Sequence, residues 1–375
     1  MAWTLDLDDL HDLARGAALL GTGGGGDPHV GRLLVAEAIR EHGPLTILDP
    51  EELDDDVLII PTAQMGAPTV VAEKLPAGTE GSRALTTLEE HLGRTAFATM
   101  PIECGGVNSM IPLQLAAVRG LPVVDADGMG RAFPELQMET FSVYGVSGSP
   151  LAIAGEAGEK AVIDTGADNK RMEDFARALT VQLGGVAHIA EYAMSGAEVK
   201  RVAVPRTLSL ALGVGRAIRT AREANEDPLH RLAQFLGTTP YAHLRHLFTG
   251  KVVDVERNTD GAFVRGAARI SGSRPGSSAA GELRIGFQNE NLRAEADGEL
   301  LAVVPDLICI LEADSAEPIT TEGLRYGQRV KVIGISTPAM MRTQEALAVF
   351  GPQAFGLHDE FTAVESLGGS IVGED

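Results

Sequence analysis

One rhythm constrains this chain more than any other feature. Between residues 45 and 126, short aliphatic and β-branched runs (LTIL at 45–48, VLIIP at 57–61, TAFATM at 95–100, PVVDA at 122–126) alternate with helical spacing near 82–92 and 109–119. Strands that apolar cannot face water on either side, and helices between consecutive strands are what a parallel sheet requires. An N-terminal α/β domain built on a mostly parallel sheet is therefore expected. Ahead of it, residues 6–20 place apolar groups at helical intervals behind an Asp-rich first turn, which suits the positive end of a helix dipole. A second amphipathic helix is expected over Val30–Glu41, beyond a glycine run that neither helix can absorb.

Helices expected over 170–182 and 206–223 bracket a strand, VAHIAEY at 186–192. After about residue 245 the texture changes. KVVDVER, AFVRGAARI, ELRIGFQNENLRAEA, LLAVVPDLICIL and QRVKVIGIS are alternating runs separated by Gly, Asp and Pro turns, the pattern of a β-rich, mostly antiparallel domain. The expected division is an N-terminal α/β domain over 1–165 and a C-terminal α+β, β-rich domain over 166–375. A length of 375 residues suits two domains, and aromatics at 4% against 44% hydrophobic residues predict aliphatic cores.

A formal charge of −21 argues against a sequence-independent grip on nucleic acid and against anionic membrane surfaces, since both require clustered cations. The first residues lack the basic start and apolar stretch of a secretory signal, and no apolar run is long enough to span a bilayer, so a soluble cytoplasmic protein is expected. Cys104 and Cys309 lie far apart without CxxC spacing, which predicts reduced thiols. No cofactor is expected, with a divalent metal left open. The expected partners are a small-molecule substrate and further copies of the chain, the latter from the prevalence of symmetric oligomers.

Ligands in open α/β sheets sit where strands deliver loops at their carboxyl ends, so the loops QMGAP, ECGGVNS and DADGMGRAFPE carry the functional expectations. In ECGGVNS, Glu103 supplies a carboxylate, Asn108 an amide, and Gly105 and Gly106 accessible N–H groups; Ser109 has the alternative role of a helix cap. Cys104, at a helix start, is open to a nucleophilic role as well as to simple burial, whereas Cys309 in LICIL reads as core. Asp125 and Asp127 point the same way if their strand continues, a pair able to bind a cation or to hold separate protonation states, with Glu139 beyond them and Arg131 placed to clamp a substrate carbonyl or to neutralise the pair. The plain alternative for this stretch is an Asp-Gly turn with a solvated salt bridge.

The glycine run places Gly23, Gly24, Gly25 and Asp27 before a helix N-terminus, where backbone N–H groups can approach an anion; a plain helix–helix turn explains it equally. It lacks the preceding strand of a dinucleotide fingerprint and the GK[ST] of a phosphate loop. Gln288 and Asn289, in Gln-Asn-Glu-Asn, read either as a polar strand edge or as a hairpin turn. His188 alternates with apolar neighbours and reads as a core histidine before a ligand.

Taken together, LGTGGGGDP at 20–28, QMGAPTV at 64–70, ECGGVNS at 103–109, GLPVVDADGMGRAFPELQM at 120–138, GKVVDVER at 250–257 and FQNENL at 287–292 closely resemble the S-methyl thiohydantoin desulfurase family. The likeness runs from about residue 8 to about residue 360, and VVDADGMGRAFPE is its most specific part. It implies an N-terminal α/β domain followed by a β-rich one, and a relation to hydantoin-processing enzymes. The expected activity is hydrolysis at C2 of a hydantoin-like ring, the lead case being S-methyl thiohydantoin and water giving hydantoin and methanethiol. Such a step needs one carboxyl group to take a proton from water and another to deliver one, with Asp125, Asp127, Glu103 and Glu139 as candidates in a site expected between the domains. A metal-dependent cyclic amidohydrolase and a non-catalytic partner subunit of a hydantoinase-type complex remain as rival classes.

Overall fold

In the computed structural model, residues 1–66, 70, 78–260, 263–277, 279–368 and 370–372 are described. The loop expected at QMGAP is described only through Gly66; Ala67 and Pro68 lie outside the described residues. The chain packs as two compact units, one of Met1–Ala14 with Asp27–Ser209, the other of Arg15–Gly26 with Leu210–Asp375. Residues 166–209, expected on the C-terminal side of the division, thus pack with the first unit, and residues 15–26 with the second.

The first unit is a mixed sheet. Its strands are β1 (Trp3–Leu5), β2 (Leu45–Leu48), β3 (Leu58–Gly66), β4 (Ala98–Pro101), β5 (Val123–Val124), β7 (Leu151–Ala154), β8 (Lys160–Ile163) and β9 (Val186–Ala190) in the order β1-β2-β5-β4-β3-β9-β7-β8. The α/β rhythm read in the sequence produces the parallel centre, β2-β5-β4-β3. Antiparallel strands extend it on both sides, β1 against β2 and β9, β7 and β8 beyond β3. The strand β10 (Met194–Ser195) pairs antiparallel with β3 in the same sheet, and β6 (Ala126–Asp127) with β11 (Val204–Pro205) forms a separate two-stranded sheet.

Helices α1 (Leu10–Leu20), α2 (Pro28–His42), α3 (Glu80–Leu92) and α4 (Ile111–Arg119) follow the expected helical spacing. Asp27 starts α2 by accepting the His29 N–H, with Pro28 in the first turn, where its missing donor costs nothing. The helix α3 presents Ala84, Leu85 and Leu88 to Leu58 and Ile60 of β3 and to Ala152, Ala154 and Ala190 of the neighbouring strands. Each fully buried leucine there is worth roughly 1.5–3 kcal/mol. The expected helices at 170–182 and 206–223 are observed as α5 (Asn169–Gln182) and α7 (Thr207–Glu223), with α6 (Gly196–Val202) between them.

The second unit carries an antiparallel sheet that forms a half-barrel. Its order is β16-β15-β14-β13-β12-β18-β17, from β12 (Leu244–Asp260), β13 (Phe263–Ser273), β14 (Gly281–Gln288), β15 (Glu290–Ala296), β16 (Glu299–Val303), β17 (Leu307–Glu312) and β18 (Arg329–Ile335), with β19 (Ser370–Ile371) beside β12. Period-two alternation sends Leu283 and Ile285, Ala294 and Ala296, and Val330 and Val332 into one aliphatic core. Cys309 lies buried in β17 and its thiol donates to the Leu19 carbonyl at 3.3 Å, the core role expected of it. No helix among the described residues is long and apolar enough to cross a membrane.

Candidate active site

The polar residues singled out in the sequence fall into two sets, one in each unit. In the first unit they gather at the carboxyl ends of the parallel strands. After β4 the chain turns through Glu103 and a tight 3-10 turn, Gly106–Ser109, into α4. Asn108 donates to Glu103 Oε1 at 2.8 Å and to the Gln64 carbonyl at 3.1 Å, and accepts the Gln64 N–H at 2.8 Å, so the carboxylate, the amide and the end of β3 form one joint. Ser109 donates to the Gly106 carbonyl at 2.7 Å and does not cap α4.

The strand carrying the aspartates does not continue as a single ladder. It pairs in the main sheet at Val123–Val124, and Ala126–Asp127 then pair with Val204–Pro205. Each aspartate consequently has its own partners. Asp125 accepts the Trp3 indole N–H at 3.2 Å, the Ser209 N–H at 3.0 Å and the Ser209 hydroxyl. Burial raises its pKa, against those hydrogen bonds. Asp127, fully buried, accepts the Cys104 N–H at 2.6 Å and the Gly130 N–H at 2.8 Å. Burial outweighs those bonds and pushes it up to about 7. With both aspartates buried, this loop is not a solvated Asp-Gly turn.

Glu139 is fully buried, and among the described residues neither carboxyl oxygen has a hydrogen-bond partner. Gly128 makes its place: a Cβ there would lie 2.3 Å from Glu139 Oε2. The space that this glycine leaves is taken by the glutamate. Burial first, then the charges of Glu191, Asp127 and Glu103, hold Glu139 well above the usual carboxylate range. Arg131 is also fully buried, its guanidinium 4.9 Å from the centre of the Phe133 ring.

Glu191 was missed in the sequence. It follows β9, its N–H donates to the Pro61 carbonyl at 3.2 Å, and its carboxyl group is wholly buried with both oxygens unpartnered among the described residues. The available signal was an acidic residue inside VAHIAEY, a run otherwise suited to a core strand. His188 in the same strand lies 3.4 Å from Gln64 Nε2; burial drives its pKa to about 4, against the pull of Glu80, so the ring is neutral at neutral pH. Cys104 is buried, and its thiol is pushed well above its ordinary value by burial and by Asp127 and Asp125, the reverse of an activated thiolate.

In the second unit the glycine run is a packed joint. The Thr22 carbonyl accepts the Asn291 N–H at 2.7 Å, and the Gly23 carbonyl accepts the Thr321 N–H at 2.7 Å. A Cβ at Gly24 would lie 2.1 Å from Glu290 Oε1, and Gly23 and Gly25 hold φ of +92° and +71°. The Glu290 side chain thus occupies the space over Gly24, and the N-terminus of α2 has the Asp27 side chain as an acceptor. Asn289 is the hairpin residue between β14 and β15, at φ +56°, and it exchanges bonds of 2.8 Å with Val264 N–H and C=O. Gln288 pairs across this hairpin with Glu290.

Among the described residues no group of three or more His, Cys, Asp or Glu is arranged to hold a metal ion. A cavity of about 320 Å³, lined by His42, Pro44, Phe97 and Leu121 among others, opens at the amino ends of β2, β4 and β5, the opposite edge from the carboxyl cluster.

Fold and loops together define a two-domain α/β protein with buried carboxyl groups at the strand ends of its first unit. The chain belongs to the S-Me-THD-like family: the family's N-terminal domain matches residues 8–165 and its C-terminal domain residues 167–364. No curated protein matches the chain. A crystal structure of a protein from Chromobacterium violaceum, a structural-genomics target, is similar at a TM-score of 0.76 and 24% identity, covering 96% of this chain and 100% of that one. At that identity the likeness supports the fold alone.

Proposed function

We propose that this chain is a hydrolase acting at C2 of a hydantoin-like five-membered ring, with S-methyl thiohydantoin as the lead substrate. One observation carries the reading: Asp127, near pH 7 in its proton affinity, shares a buried cluster with Glu139, held protonated by burial and by its acidic neighbours. Two carboxyl groups with separated affinities are what general base and general acid require. Asp127 takes a proton from water as its oxygen bonds to C2. Glu139 delivers a proton to the ring nitrogen, the C2–S bond breaks, and the proton held by Asp127 leaves with the methanethiolate. Collapse of the C2 hydroxyl to the carbonyl returns its proton to Glu139, so water supplies the C2 oxygen and both hydrogens, one through Asp127 to methanethiol and one that restores Glu139. Asn108 keeps the Glu103 carboxylate fixed beside the pair. Both reacting groups are closed to solvent here, so the reading requires the cluster to open for the ring.

The test is release of methanethiol from S-methyl thiohydantoin by the purified protein, with and without chelator. Release unaffected by chelator supports the carboxyl mechanism. Release abolished by chelator and restored by a divalent metal points to the metal-dependent class, and silence on this and other hydantoin rings removes the hydrolase reading.

A further inference from the structure

We propose that Asp125 is a positioning residue: it clamps the turn that carries Asp127 to β1 and to the first turn of α7, and it sets a fixed negative charge beside that aspartate. That Asp127 acts as a base rests on the function proposed above; the clamp does not. Backbone and side chain of Asp125 are both engaged. Its N–H donates to the Leu48 carbonyl of β2 at 2.8 Å, and its carbonyl accepts the Arg206 N–H at 2.6 Å. Oδ1 accepts the Ser209 N–H at 3.0 Å, and Oδ2 accepts the Trp3 indole N–H at 3.2 Å together with the Ser209 hydroxyl. Two residues on, Asp127 pairs with Val204, so the stretches 125–127 and 204–209 are tied at both ends. Arg206 sits between those ties at φ +63°, a left-handed conformation that a non-glycine residue keeps only where its surroundings over-determine it.

Three donors on one carboxylate favour its ionised form against the burial that opposes it, and neither the indole nor the backbone N–H can take a proton from it. Such a group is anchored rather than available to water. Asp127 differs: its two donors are the backbone N–H groups of Cys104 and Gly130, which hold it only while its turn is held. The two aspartates are two residues apart, so their Cα atoms lie within about 7 Å. The titratable and charged groups facing Asp127 are Asp125, Cys104 and Glu139, with Glu103 behind Cys104. Those facing Asp125 are Asp127, Cys104 and Arg206, whose guanidinium is shared with Asp49 through bonds of 3.1 and 3.2 Å. After burial, the Asp125 charge adds to the affinity of Asp127 for its proton.

The test uses the intact protein with carbon-13 in its aspartate side-chain carboxyl groups, the Asp127 resonance being the one that Asp127→Asn removes. Its midpoint is expected at about 7 in wild type. In Asp125→Asn, which keeps an acceptor and removes the charge, it is expected about one pH unit lower. An unmoved midpoint overturns the proposal. Trp3→Phe supplies a second arm should Asp125→Asn misfold, since Trp3 is partly exposed. There, hydrogen exchange at the Cys104 and Gly130 N–H groups should rise about tenfold or more with the β3 amides unchanged. Unchanged exchange, or exchange raised evenly across the sheet, overturns the clamp. In the methanethiol assay the acid limb of kcat/KM in Asp125→Asn should follow the one-unit shift with KM little changed. If resonance and exchange behave as stated while no hydantoin is turned over or the limb stays put, the clamp stands and the function reading falls.

Discussion

The Asp127 carboxylate and the Cys104 backbone are locked together, with the Cys104 N–H donating to Asp127 Oδ2 at 2.6 Å, and the Gly130 N–H fills the other oxygen at 2.8 Å. Asp127 is thereby a structural acceptor as well as the proposed base. Asparagine preserves one of those bonds and turns an N–H₂ group toward the other donor. Asp127→Asn is expected to lose about 1–3 kcal/mol of stability at about pH 6, where the wild-type carboxyl carries its proton, together with about 10²-fold in turnover per folded molecule. Thermal denaturation alongside the methanethiol assay checks both. Full turnover in the folded fraction would make Asp127 a structural carboxylate only.

Cys104 is expected to be inert. Its buried thiol lies among carboxylates that disfavour the thiolate, so iodoacetamide should label it at least about 10²-fold more slowly in native than in unfolded protein at neutral pH. Peptide mapping by mass spectrometry separates it from Cys309. Rapid labelling of native Cys104 would instead make it the nucleophile, with Asp127 as the group that takes its proton.

Stability should fall as the solution becomes alkaline. Asp127 titrates at about 7 in the fold against an ordinary 3.8, so between those values the unfolded chain has lost a proton that the folded one retains. Stability then declines as pH rises through that window, by roughly 4 kcal/mol at most from this group. Glu139 and Glu191, also raised, act in the same direction. His188 works oppositely: held at about 4 against an ordinary 6.5, it removes stability as pH drops from 6.5 toward 4. The melting temperature is therefore expected to fall from about pH 6 to about pH 8, and Glu139→Gln to flatten that fall. A melting temperature that rises over this range contradicts the assignment.

Much of the first unit was legible because its signals are local. Apolar runs and helical spacing placed β2 to β5, and the rule that loops at strand ends carry chemistry pointed to Glu103, Asn108, Asp125 and Asp127, which the fold buries together. Glu191 was not legible because its place depends on β9 pairing with β3 more than a hundred residues earlier, which no local pattern encodes. The same limit hid the partner of the glycine run. Read alone, Gly23 to Asp27 suits an anion; only the β14–β15 hairpin brings Glu290 against Gly24.

Gly24→Ala tests that joint. A methyl group 2.1 Å from the buried Glu290 carboxylate forces the side chain to move, with an expected loss of about 1–3 kcal/mol and no change in KM for the folded fraction. Adding Glu290→Ala should recover most of the loss. A large KM effect with unchanged stability would return the loop to a substrate-binding role.

Glu139→Gln tests the central claim most directly, because the Glu139 carboxyl makes no hydrogen bond among the described residues and glutamine matches the shape of its protonated form. The measurement is methanethiol release per folded molecule at neutral pH, wild type against variant, with the melting temperature taken on the same samples. The account predicts turnover lower by about 10²-fold or more with stability equal to or above wild type. Turnover within a few-fold of wild type in a stably folded variant would contradict it.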